Sequence, residues 1–200
     1  HVQAQTFIDM SLGWKQNKPH HHYNVGTTSG NWYSGELDAK GVPSATMADG
    51  TKKGYAVVTF KGNKYEVDYH VSNAPKDYKM NVFLPKVSEK RKNSKASMYV
   101  NYYLGGENDT IDYRVNNGKW MRMNRTETFD PHLLLEVFKW DTSTELLTGE
   151  RPNDPRLSSH IWKATVPSDL PIGKHTIEFR LRDMFGRTFT TTREYEVAKN

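Results

Sequence analysis

Two hundred residues at 23.1 kDa make one ordinary domain or two small ones, long enough to bury a core. A net charge of only +5 and 12% aromatic side chains describe a folding chain, and no run approaches the roughly 18 apolar residues of a membrane span. The absence of cysteine excludes disulfides, thiolate nucleophiles and cysteine-based zinc sites.

His1 opens the chain without a basic, apolar and small-residue leader, so no secretion signal is expected within it. His20-His21-His22 is the one histidine cluster. Neighbours on a strand alternate faces, so at most His20 and His22 can turn toward one ion, against the plainer expectation of hydrogen-bonding or surface histidines. The stretch Tyr23 to Gly35 follows, with glycines at 26, 30 and 35 that match neither a phosphate-cradling loop nor a dinucleotide fingerprint. Within it Trp32 and Tyr33, flanked by Asn31 and Ser34, either present aromatic faces to a ligand such as a sugar or base, or plug a layer of core.

From residue 55 onward a period of two dominates. Tyr55 to Phe60 and Tyr65 to Val71 flank Gly62-Asn63, which suits a tight hairpin whose Tyr65, Val67, Tyr69 and Val71 share a buried face. Lys86, Lys90, Arg91, Lys92 and Lys95 face one Glu89 in a segment rich in Lys, Ser and Asn, without interleaved aromatics; it reads as a solvated loop rather than a nucleic-acid contact. Met98, Val100 and Tyr102 alternate next. Ile111 to Val115 and Lys119 to Met123 then flank Asn116-Asn117-Gly118. A two-residue Asn117-Gly118 turn predicts Val115 opposite Trp120 as a core pair.

Asp130 and Pro131 predict the cap and first position of one short helix, with Leu134, Val137 and Phe138 on a common face. Residues 141 to 158 read as a long excursion. Strands follow at Trp162, Ala164 and Val166, at Ile177, Phe179 and Leu181, and at Phe189, Tyr195 and Val197, with a turn at Asp183 to Gly186. The predicted fold is all-β: an immunoglobulin-like β-sandwich over 81–200, preceded by a loop-rich β-hairpin subdomain over 1–80, with one short helix.

Enzyme constellations fail on inspection. Asp68-Tyr69-His70 and Asp130-Pro131-His132 each pair an acid with a histidine two residues on, but neither is followed by Gly-Asp or Gly-Asn-His segments that would complete a dinuclear site. No Gly-x-Ser-x-Gly elbow is present.

His22 to Gly35, Gly41 to Gly50, Gly54-Tyr55, Gly62 to Tyr65, Ser159 to Trp162, Gly173 to Glu178 and Asp183 to Phe189, in that order, resemble the C-terminal region of bacterial calcineurin-like phosphoesterases. The resemblance implies a preceding catalytic domain in the same polypeptide, holding two divalent metal ions and hydrolysing phosphate esters. It also implies an exported parent, periplasmic or extracellular. On that footing this chain is an accessory module without catalytic residues or cofactor of its own, and His1 stands where the last metal ligand of the missing domain ends. The loop bearing Asn24, Asn31, Trp32 and Tyr33 is the candidate edge of the substrate cleft. The competing expectation is a sandwich that binds carbohydrate or a cell surface through aromatics such as Trp32 or Trp120; no nucleic-acid partner is expected.

Overall fold

The structure, a computed structural model, describes residues 2–199. In chain order its elements are β1 (Ala4–Ile8), β2 (His20–Asn24), β3 (Gly35–Glu36), β4 (Gly54–Lys61), β5 (Lys64–Val71), β6 (Met80–Phe83), β7 (Val87–Glu89), β8 (Ser97–Tyr102), β9 (Thr110–Val115), β10 (Met121–Arg122), β11 (Asn124–Thr128), α1 (Pro131–Thr142), β12 (Gly149–Glu150), β13 (Ser158–Thr165), β14 (Gly173–Arg182) and β15 (Thr188–Ala198). The protein is mostly β with one α-helix, as its alternating pattern predicts. Two compact units divide the chain. The first gathers residues up to Lys79 together with 103–107 and 127–160; the second gathers Met80–Tyr102, 108–126 and the rest from Ile161.

The first unit consists of three small antiparallel sheets and the helix. Lys61 pairs with Lys64 across a two-residue Gly62-Asn63 turn, so Val58 faces Val67 and Ala56 faces Tyr69. Val67, Tyr69 and Val71 are buried, while Val58 and Phe60 nearer the turn are exposed. The β1–β2 pair places His21 inward, stacked on Phe7 at 4.6 Å, with its two ring nitrogens on the Tyr65 hydroxyl (2.6 Å) and Gln5 Oε1 (2.7 Å). His20 and His22 face outward, as strand alternation dictates. The helix starts where Asp130 caps it, its carboxylate accepting from the Leu133 amide at 2.9 Å; such a cap is worth about 1 kcal/mol. The face it buries differs from expectation. Leu133 and Val137, four apart and so on one face, are enclosed, whereas Leu134 is half-buried and Phe138 exposed.

The second unit is a sandwich of two sheets, ordered β10-β9-β14-β15-β7 and β11-β13-β8-β6. Ile111, Ile177, Phe179 and Leu181 from one sheet, and Met98 and Val100 from the other, are fully enclosed. Each such side chain contributes about 1.5–3 kcal/mol on burial. One register corrects the sequence reading. Asn116 and Asn117 both take positive φ (48° and 59°), the Gly118 amide donates to the Val115 carbonyl at 2.8 Å, and Met121 pairs with Tyr113. The turn therefore centres on Asn116-Asn117, one residue before the predicted pair. A shift of one residue exchanges the faces of a strand. Trp120 is consequently part-exposed and lies against the guanidinium groups of Arg180 (3.9 Å from the ring centre) and Arg114 (4.6 Å), instead of opposite Val115 in the core.

Strand β15 is paired along its length by β14, but β7 covers only Glu196 to Ala198 of its other edge. Along the uncovered part, Arg193 folds back, its Nη1 donating to the Thr192 carbonyl and to Thr191 Oγ1, both at 2.8 Å.

Candidate functional site

The first unit carries the segment of most chemical interest. Its loop from Val25 to Ser34 is held by backbone against backbone. The Asn31 amide donates to the Ala45 carbonyl (3.3 Å) and the Ala45 amide to the Ser34 carbonyl (2.8 Å). Gly30 (φ +66°) lies so close that a Cβ there would come within 1.7 Å of the Ala45 carbonyl oxygen, and one on Gly35 (φ +107°) would meet Ser44 Oγ at 2.0 Å. Only glycine permits this approach together with these dihedrals.

The clamp positions two aromatic residues. Trp32 (φ 54°) and Tyr33 (φ 56°) are consecutive left-handed residues, 74% and 54% exposed. Each non-glycine residue in that region costs about 1–2 kcal/mol, and such strain persists only where surrounding contacts impose it. The two candidates are therefore displayed, not buried as a plug. Asn31 is buried (4%), its carbonyl accepting from the Ser34 amide and hydroxyl, so it shapes the loop from within. Asn24 ends β2 and donates to the Val2 carbonyl at 3.0 Å. The structure thus gathers Asn31, Trp32 and Tyr33 in one turn and leaves Asn24 on the strand before it. His1 lies outside the described residues.

Lys53 links Tyr33 to an open groove of about 440 Å³. Its ammonium stands 5.4 Å from the Tyr33 ring centre and donates to the Pro43 carbonyl; burial of the ammonium pulls its pKa below the ordinary lysine value, against the opposing pull of Asp38. The groove is walled by Glu36, Asp38, Ser44, Ser72, Asn73 and Glu136, with Leu37, Val42 and Pro43 among the residues that give it its apolar surface. Glu136, projecting from α1, accepts from Ser44 Oγ at 2.5 Å, and Glu36 pairs with Lys139. Asp38 accepts the Val42 and Lys40 amides, which hold its carboxyl below the usual carboxylate range. Sequence patterning does not single out these residues, because they come from four separate stretches of chain. The one local signal is the turn-forming Asp38 ahead of Gly41.

Beneath the loop runs a buried polar chain. Asp49 (1% exposed) accepts from the Gln3 amide at 2.5 Å, the Thr51 amide at 2.9 Å and His160 Nε2 at 3.1 Å. Gln3 in turn donates to the Tyr103 carbonyl at 2.9 Å and accepts from the Tyr23 hydroxyl. Burial moves the Tyr23 phenol above its ordinary pKa, helped by the Asp49 charge. The remaining acid–histidine pairs are likewise committed to the fold. Asp68 lies 2.7 Å from Lys79 Nζ and 3.1 Å from His70 Nε2, and Asp130 caps the helix. Among the described residues no three of His, Asp and Glu gather where they could hold a metal ion.

A family model described as the C terminal of calcineurin-like phosphoesterase matches residues 22–189, most of the chain. No curated protein and no solved structure matches.

Proposed function

The chain belongs to this family of C-terminal calcineurin-like phosphoesterase regions, and from that premise we propose that it is a non-catalytic module working beside a metal-dependent catalytic domain of the same polypeptide. In this reading the loop bearing Asn31, Trp32 and Tyr33 edges the substrate cleft of that domain. The observation that carries the reading is where the chain's acids and histidines are spent. Asp49 with His160, Asp68 with His70 and Lys79, and Asp130 at its helix cap all serve the fold. A dinuclear phosphoesterase needs about six to eight protein ligands converging on two ions, and supplying them falls to the catalytic domain.

The chain incubated with a chromogenic phosphodiester and Mn²⁺ is expected to give no turnover above buffer. Turnover abolished by a chelator would overturn the non-catalytic assignment. For the cleft-edge assignment, Trp32→Ala in the full-length enzyme should raise KM several-fold while kcat holds; an unmoved KM removes that part alone.

A second reading, carbohydrate binding by the sandwich, loses its aromatic there. Trp120 is only part-exposed, with the guanidinium groups of Arg180 and Arg114 at 3.9 Å and 4.6 Å from its ring centre, so little of its ring is open to a sugar. The exposed aromatics belong to the first unit.

A further inference from the structure

We propose that the groove beside Tyr33 is a binding site for a neutral saccharide. The proposal builds on the displayed aromatic loop, already assigned to the cleft edge, and is tested without the catalytic domain, so the two readings fail separately. Four observations point to it.

Display of the rings is enforced. Two consecutive aromatic residues are held in left-handed backbone by a glycine-dependent clamp, and both project to solvent. A chain tolerates that strain where the rings have work to do outside the fold. Their exposed ring surface suits the C–H face of a pyranose, and Lys53, 5.4 Å from the Tyr33 ring centre, is itself a wall of the groove.

The walls offer the mixed hydrogen bonding that vicinal hydroxyls require. Asp38 and Glu136 accept, Lys53 donates, and Asn73 does both. The volume of about 440 Å³ falls within the range of small-molecule sites.

Charge selects against the alternatives. With Glu36 paired to Lys139, Asp38 and Glu136 still outnumber Lys53, so a phosphate or other anion is disfavoured. A cationic ligand meets a rival, since the Lys53 ammonium already lies over Tyr33. An apolar ligand would strand the carboxylates without water. A neutral polyol escapes all three penalties.

Rigidity completes the case. The Asp38 turn, the Ser44–Glu136 hydrogen bond and the Glu36–Lys139 pair fix the walls in place, lowering the ordering cost of binding.

The test is calorimetric titration of the chain with cello-, xylo-, manno- and chito-oligosaccharides, with choline and inorganic phosphate as the charged comparators. At least one neutral oligosaccharide should bind at concentrations up to about 10 mM. Trp32→Ala or Tyr33→Ala should weaken it about tenfold, and Glu136→Gln or Asn73→Ala several-fold. Trp32 is exposed, whereas Asn73 sits at φ 61°, where alanine is strained, so circular dichroism and the urea midpoint check that each variant keeps the fold. The proposal is overturned if no saccharide binds, if choline or phosphate binds in its place, or if binding survives both aromatic substitutions.

Discussion

Asp49 accepts two backbone amides and the His160 ring while almost wholly enclosed. Burial pushes its carboxyl pKa up, but the hydrogen bond and field of His160, with the Gln3 and Thr51 amides, outweigh that and hold it below the ordinary value. The unfolded chain therefore takes up the proton more readily than the native one. The stabilisation is complete above the unfolded carboxylate pKa of about 3.9 and is lost as pH falls through the lower native value. Asp49→Asn should cost about 3 kcal/mol near neutrality, since it leaves His160 enclosed beside the wrong partner. It should also flatten the fall of stability at acid pH. Urea denaturation from pH 7 down to 3 tests this, and parallel acid limbs for the two proteins would refute it. Asp49 and His160 stand 111 positions apart, and each alone is an unremarkable residue beside a turn or at the start of a strand. A pairing of that span leaves no local pattern to read.

Among elements, the hairpins were the most legible, because turn chemistry and alternation are short-range. Gly62-Asn63 and the buried column from Val67 to Val71 follow from the letters alone. The β9–β10 hairpin shows where that legibility ends. Three successive turn-forming residues allow two placements of one turn, and the tertiary context chose Asn116-Asn117, sending Trp120 to its arginines. Because Asn117 sits at φ 59°, Asn117→Gly should stabilise the protein by up to about 1 kcal/mol by relieving the left-handed penalty. A lower urea midpoint for that variant would contradict the assigned turn. The groove was illegible for a different reason. Its walls come from strand ends, turns and the helix, and Glu136 reads as an ordinary polar position between Leu133 and Val137.

Across the whole molecule, charge is unevenly shared. The first unit holds 12 Lys and Arg against 15 Asp and Glu, and the second 16 against 8. The sum of +5 hides this, and only the division into compact units reveals it. Like charges within the sandwich repel, and salt screens them over a Debye length that shrinks from about 30 Å at 0.01 M to about 8 Å at physiological strength. Hydrogen-exchange protection at Ile177 and Phe179 should therefore rise with added NaCl, while the amides of Val67 and Tyr69 in the first unit respond less. Equal responses in the two units would refute this account. One side chain bears on how copies of so Thr-rich a chain keep apart. By bending onto its own main chain at Thr192, Arg193 occupies a carbonyl that a neighbouring molecule would need to zip alongside β15. The edge of β15 that β7 leaves uncovered thus has one carbonyl already engaged, which lowers its capacity to accept a second strand.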